Sequence, residues 1–80
     1  MAVLRLFAAA REAAGTGRDR VAGDTVGAVL GAAVERYGPD FAAVLEVCQV
    51  WCNGDPVDRD EPVGDGDEVA VIPPVSGGSD

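Results

Sequence analysis

A single amphipathic stripe constrains the fold of this chain more than any other feature. Val26, Val29, Leu30, Ala33, Val34 and Tyr37 recur at helical spacing and make one apolar face. Asp24 or Thr25 is placed to cap the start of this helix, and Gly38 followed by Pro39 to end it. Gly27 and Gly31 each weaken such a helix by about 1 kcal/mol relative to alanine, so it depends on packing against something else. The chain has 80 residues, enough for one modest core and too few for two domains with a cleft between them. Short runs of strand formers flank the stripe on both sides, so the expected partner of the helix is a sheet.

Ala2–Phe7 alternates as a strand, with Leu4 and Leu6 on one face and Val3, Arg5 and Phe7 on the other. Ala8–Ala14 reads as a short helical turn ended by Gly15-Thr16-Gly17, and Arg18–Ala22 as a second short strand. After the helix of Val26–Tyr37, Asp40–Leu45 fits a further helical turn. Val47–Asn53 is rich in strand formers, with Cys48, Val50 and Cys52 on one face and Val47, Gln49 and Trp51 on the other. Asn53-Gly54 is a hairpin turn signal, and Asp55–Val57 is a short, proline-containing edge strand. Asp58–Asp67 is acidic and turn-rich, and Glu68–Ile72 is the last strand. This order predicts an α+β, β-grasp (ubiquitin-like) roll: a mixed sheet of four to five strands with one main helix across one face. The domain spans 1–72, and 73–80 form a tail.

Composition removes whole classes of chemistry. There are 14 acidic and 6 basic residues, all six arginine, for a net charge of −8, and there is no histidine or lysine. Histidine-based nucleophilic triads, histidine metal sites and lysine Schiff bases are excluded together. The charge argues against nucleic acid and points to partners with basic surfaces. No stretch reaches the roughly 18–20 apolar residues of a membrane span, and no signal peptide is evident, so a cytoplasmic protein is expected. Cys48 and Cys52, four apart on an extended strand, are too distant for a disulfide and read as small buried hydrophobes. The acidic run from Asp55 to Asp67 lacks the ligand pattern of a calcium loop.

The tail reads Pro73-Pro74-Val75-Ser76-Gly77-Gly78-Ser79-Asp80. Its prolines favour an extended stalk, and paired glycines without Cβ suit a channel too narrow for side chains. A frayed terminus is the competing reading. The opening Val3-Leu4-Arg5-Leu6-Phe7-Ala8-Ala9-Ala10-Arg11-Glu12 and the closing block from Asp65 to Gly78 resemble the MoaD/ThiS ubiquitin-like sulfur-carrier superfamily, most of all MoaD-type proteins, the small subunit of molybdopterin synthase. The resemblance implies a carrier, not an enzyme, and no bound cofactor. It implies that the diglycine carboxylate of Gly78 is adenylated with ATP by an E1-like enzyme of MoeB/ThiF type, then converted to a thiocarboxylate with a sulfur donor. A MoaE-like or other synthase would accept the sulfur. Pro73, Pro74, Val75, Ser76 and Gly77 would be the recognised tail. Phe7, Arg11, Trp51 and Ile72 would lie at the partner interface. The phase of Phe7, opposite Leu4 and Leu6, is consistent with an exposed apolar face. The competing readings are that the short helical turn or a loop covers the three apolar residues, and that Arg11 is a solvated surface charge.

Ser79-Asp80 depart from the pattern, because they place the Gly78 carbonyl in a peptide bond. They read as a segment removed between Gly78 and Ser79 by a JAMM-type metalloprotease, as residues foreign to the natural chain, or as a mark of lost activity. Processing is the favoured reading. A ubiquitin-like modifier joined through Gly78 and a docking module with an inert tail are the alternatives to a sulfur carrier.

Overall fold

The structure, a computed structural model, describes residues 1–74. Strand β1 (Ala2–Leu6) leads through a short helix α1 (Ala8–Ala14) to β2 (Arg18–Val21). The main helix α2 (Val26–Tyr37) and a short α3 (Pro39–Leu45) follow, then β3 (Gln49–Cys52), the edge strand β4 (Asp55–Pro56) and β5 (Glu68–Ile72). The sheet order is β2-β1-β5-β3-β4, with β1 and β5 parallel and the other pairs antiparallel. This is the mixed β-grasp sheet that the element order predicts, with five strands and three helices.

All the helices contribute to one side. Leu4, Leu6, Val21, Val69 and Val71 point from the sheet into a single core with Val26, Val29, Leu30 and Ala33 of α2. Ala10 of α1 and Phe41 and Leu45 of α3 complete it. Phe41 leads the fully buried side chains by volume and meets Tyr37 edge-on at 5.2 Å between ring centroids. Each large aromatic contact of this kind adds to the area term. The seven-residue α3 is therefore a structural part of the core, more than the loose turn that Asp40–Leu45 suggests.

Thr25 is the cap of α2: its Oγ1 accepts from the Ala28 N–H at 3.1 Å. Asp24 instead offers its carbonyl to Val63 N–H. The acidic loop is thereby tied to the helix start. Val26 N–H donates to the Glu61 carbonyl and Gly27 N–H to the Arg59 carbonyl, so two amides that a helix leaves unpaired at its first turn are satisfied by the loop. Gly23 permits the close approach, since a Cβ there would lie 2.7 Å from the Val29 backbone nitrogen.

The third strand corrects the sequence reading. It begins at Gln49, not Val47, because α3 ends late: Val47 N–H and Cys48 N–H donate to the Val44 and Leu45 carbonyls. Val47 is 63% exposed, and Cys48 hangs from the helix end with its Sγ 3.1 Å from the Val44 carbonyl oxygen. Cys48 and Cys52 therefore do not share a strand, and both are free thiols. Burial pushes both up from the ordinary cysteine range, so they stay protonated near neutral pH. Asn53 and Gly54 make the expected hairpin turn with φ of 52° and 88°.

β2 is held to α2 by a polar latch. Asp19 accepts from the Tyr37 hydroxyl and, at 2.8 Å, from the Arg36 guanidinium. These two donors hold the Asp19 carboxyl below its usual range. Burial first, then the bond to Asp19, pushes the Tyr37 phenol up to about 12. The fold thus favours the neutral phenol: this contribution is full below the unfolded value of about 10 and is lost as pH rises through the folded one. Asp19 acts in the opposite direction, its contribution disappearing as pH falls through its lowered folded pKa. Tyr37 is the sole tyrosine of the chain. Spectroscopic titration of the phenolate should therefore give one midpoint near 12 in the folded protein; a midpoint near 10, the free value, would show that the latch does not form.

Candidate functional site

The face of the sheet opposite the helices carries no covering element among the described residues. Alternation along β1 sends Val3 and Arg5 to it, and along β5 it sends Glu68, Ala70 and Ile72. Parallel pairing sets Leu6 beside Val71, so the next residues, Phe7 and Ile72, are neighbours at the top of the face. Phe7 N–H donates to the Val71 carbonyl at 3.3 Å and fixes that position. Trp51 of β3 sits opposite Ala70, and Gln49 opposite Ile72. The structure therefore brings Phe7, Trp51 and Ile72 to one face, as their phase predicts. Phe7 is 40% exposed, while Trp51 and Ile72 are half-buried. Neither α1 nor a loop covers Phe7.

The backbone turns sharply just after Phe7. Ala8 has φ of 49°, in the left-handed region that alanine seldom occupies. This turn swings α1 to the core side and leaves the Phe7 ring behind on the open side. Arg5 braces the ring, its guanidinium carbon 5.6 Å from the ring centroid. Glu68 in turn holds Arg5 through an ion pair of 3.1 Å. Both partners are well exposed, so the pair orients Arg5 more than it stabilises the fold.

Arg11 is exposed on α1, and its side chain crosses Gly17, where a Cβ would lie 3.3 Å from its Cδ and Nε. It stands beyond the top of β2 and outside the apolar group. Pro73 is half-buried and Pro74 exposed, so the chain leaves the sheet at the end where Phe7 and Ile72 meet. Val75, Ser76, Gly77, Gly78 and Ser79, the rest of the expected tail and processing site, lie outside the described residues.

What the sequence reading did not single out is Arg18 and Arg20. Asp19 and Val21 face α2, so Arg18 and Arg20, which alternate with them, face the open side, and both are exposed. The period-two run Arg18-Asp19-Arg20-Val21 held that signal. Among the described residues, no three histidine, cysteine or acidic side chains come together as a metal site. No helix of the described residues is long and apolar enough to cross a membrane.

The β-grasp fold of this chain is shared with known proteins. The ThiS family profile matches residues 4–78. The chain belongs to the ThiS family. Small archaeal modifier protein 1 from Haloferax volcanii is 36% identical, over 95% of this chain and 97% of that one, with a TM-score of 0.79. The solution structure of small archaeal modifier protein 1 from Methanosarcina acetivorans is 28% identical, over 95% and 94% of the two chains, with a TM-score of 0.87. Subunit 1 of the molybdopterin-converting factor from Helicobacter pylori, solved in complex with subunit 2, has a TM-score of 0.70 at 22% identity, over 95% and 96% of the two chains. At that identity the likeness speaks for the fold. Comparison with curated protein sequences gives no significant match. The ThiS family assignment bears out the resemblance read from the two ends of the sequence, and with it the ubiquitin-like fold of small carrier proteins.

The geometry separates face residues from core residues in one strand. Phe7→Glu should leave the thermal unfolding midpoint within a few degrees of wild type, because the new charge stays in water. Leu6→Glu buries a charge among Leu4, Val69 and Val71 and should prevent folding. Circular dichroism melts of both variants check this, and unfolding by Phe7→Glu would place that ring in the core.

Proposed function

We propose that this chain is a sulfur carrier, a co-substrate and not a catalyst, with Gly78 as its reactive end. The observation that carries the reading is the extent of the family match, which runs through the glycine pair to Gly78. The domain itself holds no group able to activate a carboxylate, so the chemistry belongs to a partner. Cleavage of the Gly78–Ser79 bond, by a JAMM-type metalloprotease, would free the carboxylate. One of its oxygens then attacks the α-phosphorus of ATP in an E1-like enzyme of MoeB/ThiF type, forming a P–O bond as pyrophosphate leaves. A sulfur nucleophile at the sulfide level attacks the acyl carbon next. The new C–S bond replaces the C–O bond to AMP, and AMP leaves. The thiocarboxylate is a soft nucleophile that donates its sulfur in a biosynthetic pathway such as molybdopterin synthesis.

Each site residue has a role in this reading. Phe7, Trp51 and Ile72, with Arg11 at the margin, dock the activating enzyme or a MoaE-like acceptor. Pro73 to Gly77 thread the tail into the partner's active site, where absence of Cβ at the two glycines suits a narrow channel. The Helicobacter pylori relative, solved with its second subunit, supports docking of this kind. A need for ATP and an activating enzyme supports a cytoplasmic reaction. A second reading is a protein modifier joined to target amines through Gly78. Identity of 36% to a small archaeal modifier protein favours it, and both readings share the adenylation step.

Pyrophosphate exchange and intact-mass analysis test the proposal. A chain ending at Gly78 should support ATP–pyrophosphate exchange by the activating enzyme, while the 80-residue chain should not. Gly78→Ala in the shorter chain should slow exchange by about tenfold or more, a loss of over ~1.4 kcal/mol of transition-state stabilisation. With a sulfur donor present, the mass should rise by one oxygen-for-sulfur exchange. Adducts on other proteins without that rise would favour the modifier reading. Equal exchange by both chains, with Ser79-Asp80 still attached, would contradict the Gly78 assignment.

A further inference from the structure

The charge on this chain is not spread evenly, and its distribution bears on which surface a partner must present. The net charge is −8, yet the margin of the open face along β2 is basic. Arg18 and Arg20 project from the open side of that strand, and Arg11 lies across Gly17 beside Arg18. Among the described residues, none of these three guanidinium groups has a carboxylate within ion-pair distance, whereas Arg5 is paired with Glu68 and Arg36 with Asp19. Asp65, which borders the same shallow depression as Arg20, is engaged by the Met1 amino group. Beyond the opposite edge strand β4 the loop of Asp58, Arg59, Asp60 and Glu61 carries both signs of charge and turns to the helix side, where its Arg59 and Glu61 carbonyls accept from the first amides of α2. Four strand spacings, roughly 19 Å, separate β2 from β4. The apolar group of Phe7, Ile72 and Trp51 lies between them.

We propose that the open face docks a protein surface whose apolar centre is flanked by an acidic ridge, with that ridge lying along Arg18 and Arg20. This inference rests on the sulfur-carrier reading and assigns the ridge to the activating enzyme. It reverses, for this face, the expectation of a basic partner drawn from net charge alone. The physical argument is orientational. An apolar patch alone allows many rotations of the partner, and only one delivers the tail to the active site. A basic row along one margin selects among those rotations, since a partner docked the other way round leaves its acidic ridge without Arg18 and Arg20. The same arginines guard the free edge of β2, because a second copy pairing there would bring like charges together.

Binding of the activating enzyme from the same organism tests this. Dissociation constants are measured at low and high salt, for the 80-residue chain and for the chain ending at Gly78. The double variant Arg18→Glu with Arg20→Glu should bind about tenfold more weakly at low salt, and the difference should shrink at high salt. Asp58→Arg with Asp60→Arg moves the net charge by the same amount the other way and should not weaken binding. Unchanged melting curves show that both variants fold. Wild-type binding that ignores the arginine changes, or that is weakened equally by both double variants, overturns the acidic ridge while leaving the carrier reading intact. Failure of both wild-type lengths to bind overturns the carrier reading and the ridge with it.

Discussion

The parallel pairing of β1 with β5 is the constraint on which the rest of this structure depends. It joins residues near the two ends of the described chain, with Val3 beside Glu68 and Leu6 beside Val71. Parallel strands need a long crossover, and here the crossover is nearly the whole domain. The pairing makes both strands central, so Leu4, Leu6, Val69 and Val71 are completely or almost completely buried under the helices. The same register puts Phe7 next to Ile72 on the other side, at the point where the tail departs. One ladder therefore creates the core, the open face proposed for docking and the point where the chain leaves the sheet.

Within this division the described domain keeps its thiols and its phenol in their protonated states. Its thiols are held protonated by burial, its one tyrosine is held neutral by burial and by Asp19, and it has no histidine or lysine. What it offers a partner is shape and charge: an aromatic ring braced by Arg5, two half-buried apolar neighbours and a basic margin along β2. A carrier of the kind proposed, whose acyl group is handled by other proteins, needs no more than this. The hydrogen bond from Phe7 N–H to the Val71 carbonyl, one residue before Ile72, fixes Phe7 beside the end of β5.

Most of the fold was legible because periodicity and turn chemistry agree. The α2 stripe, the glycine stop and the Asn53-Gly54 turn are local signals, and each element formed where they point. What the sequence did not disclose came from contacts between distant segments. Val47 and Cys48 look like strand residues, but the α3 carbonyls capture their amides, and no local pattern reports that competition. Phe41 sits in a run too short to show a face, and its packing into the common core, edge-on to Tyr37, is what makes it a core residue. The docking face was legible in the phase of β1, since Phe7 opposes Leu4 and Leu6. The basic margin was harder to see, because Asp19 between two arginines reads as a mixed surface until Tyr37 and Arg36 draw it to the other side.

Native-state amide hydrogen exchange at β1 and β5 bears most directly on the account. Each strand has a neighbour on both sides, so its backbone amides are tied into ladders whichever way they point. The amides of Leu4, Leu6, Val69 and Val71 should exchange only through global unfolding and rank among the slowest in the protein. Rapid exchange throughout either strand would mean that the parallel pairing is not formed. The placement of Phe7 and Ile72 on one face, where the chain leaves β5, would then have no basis.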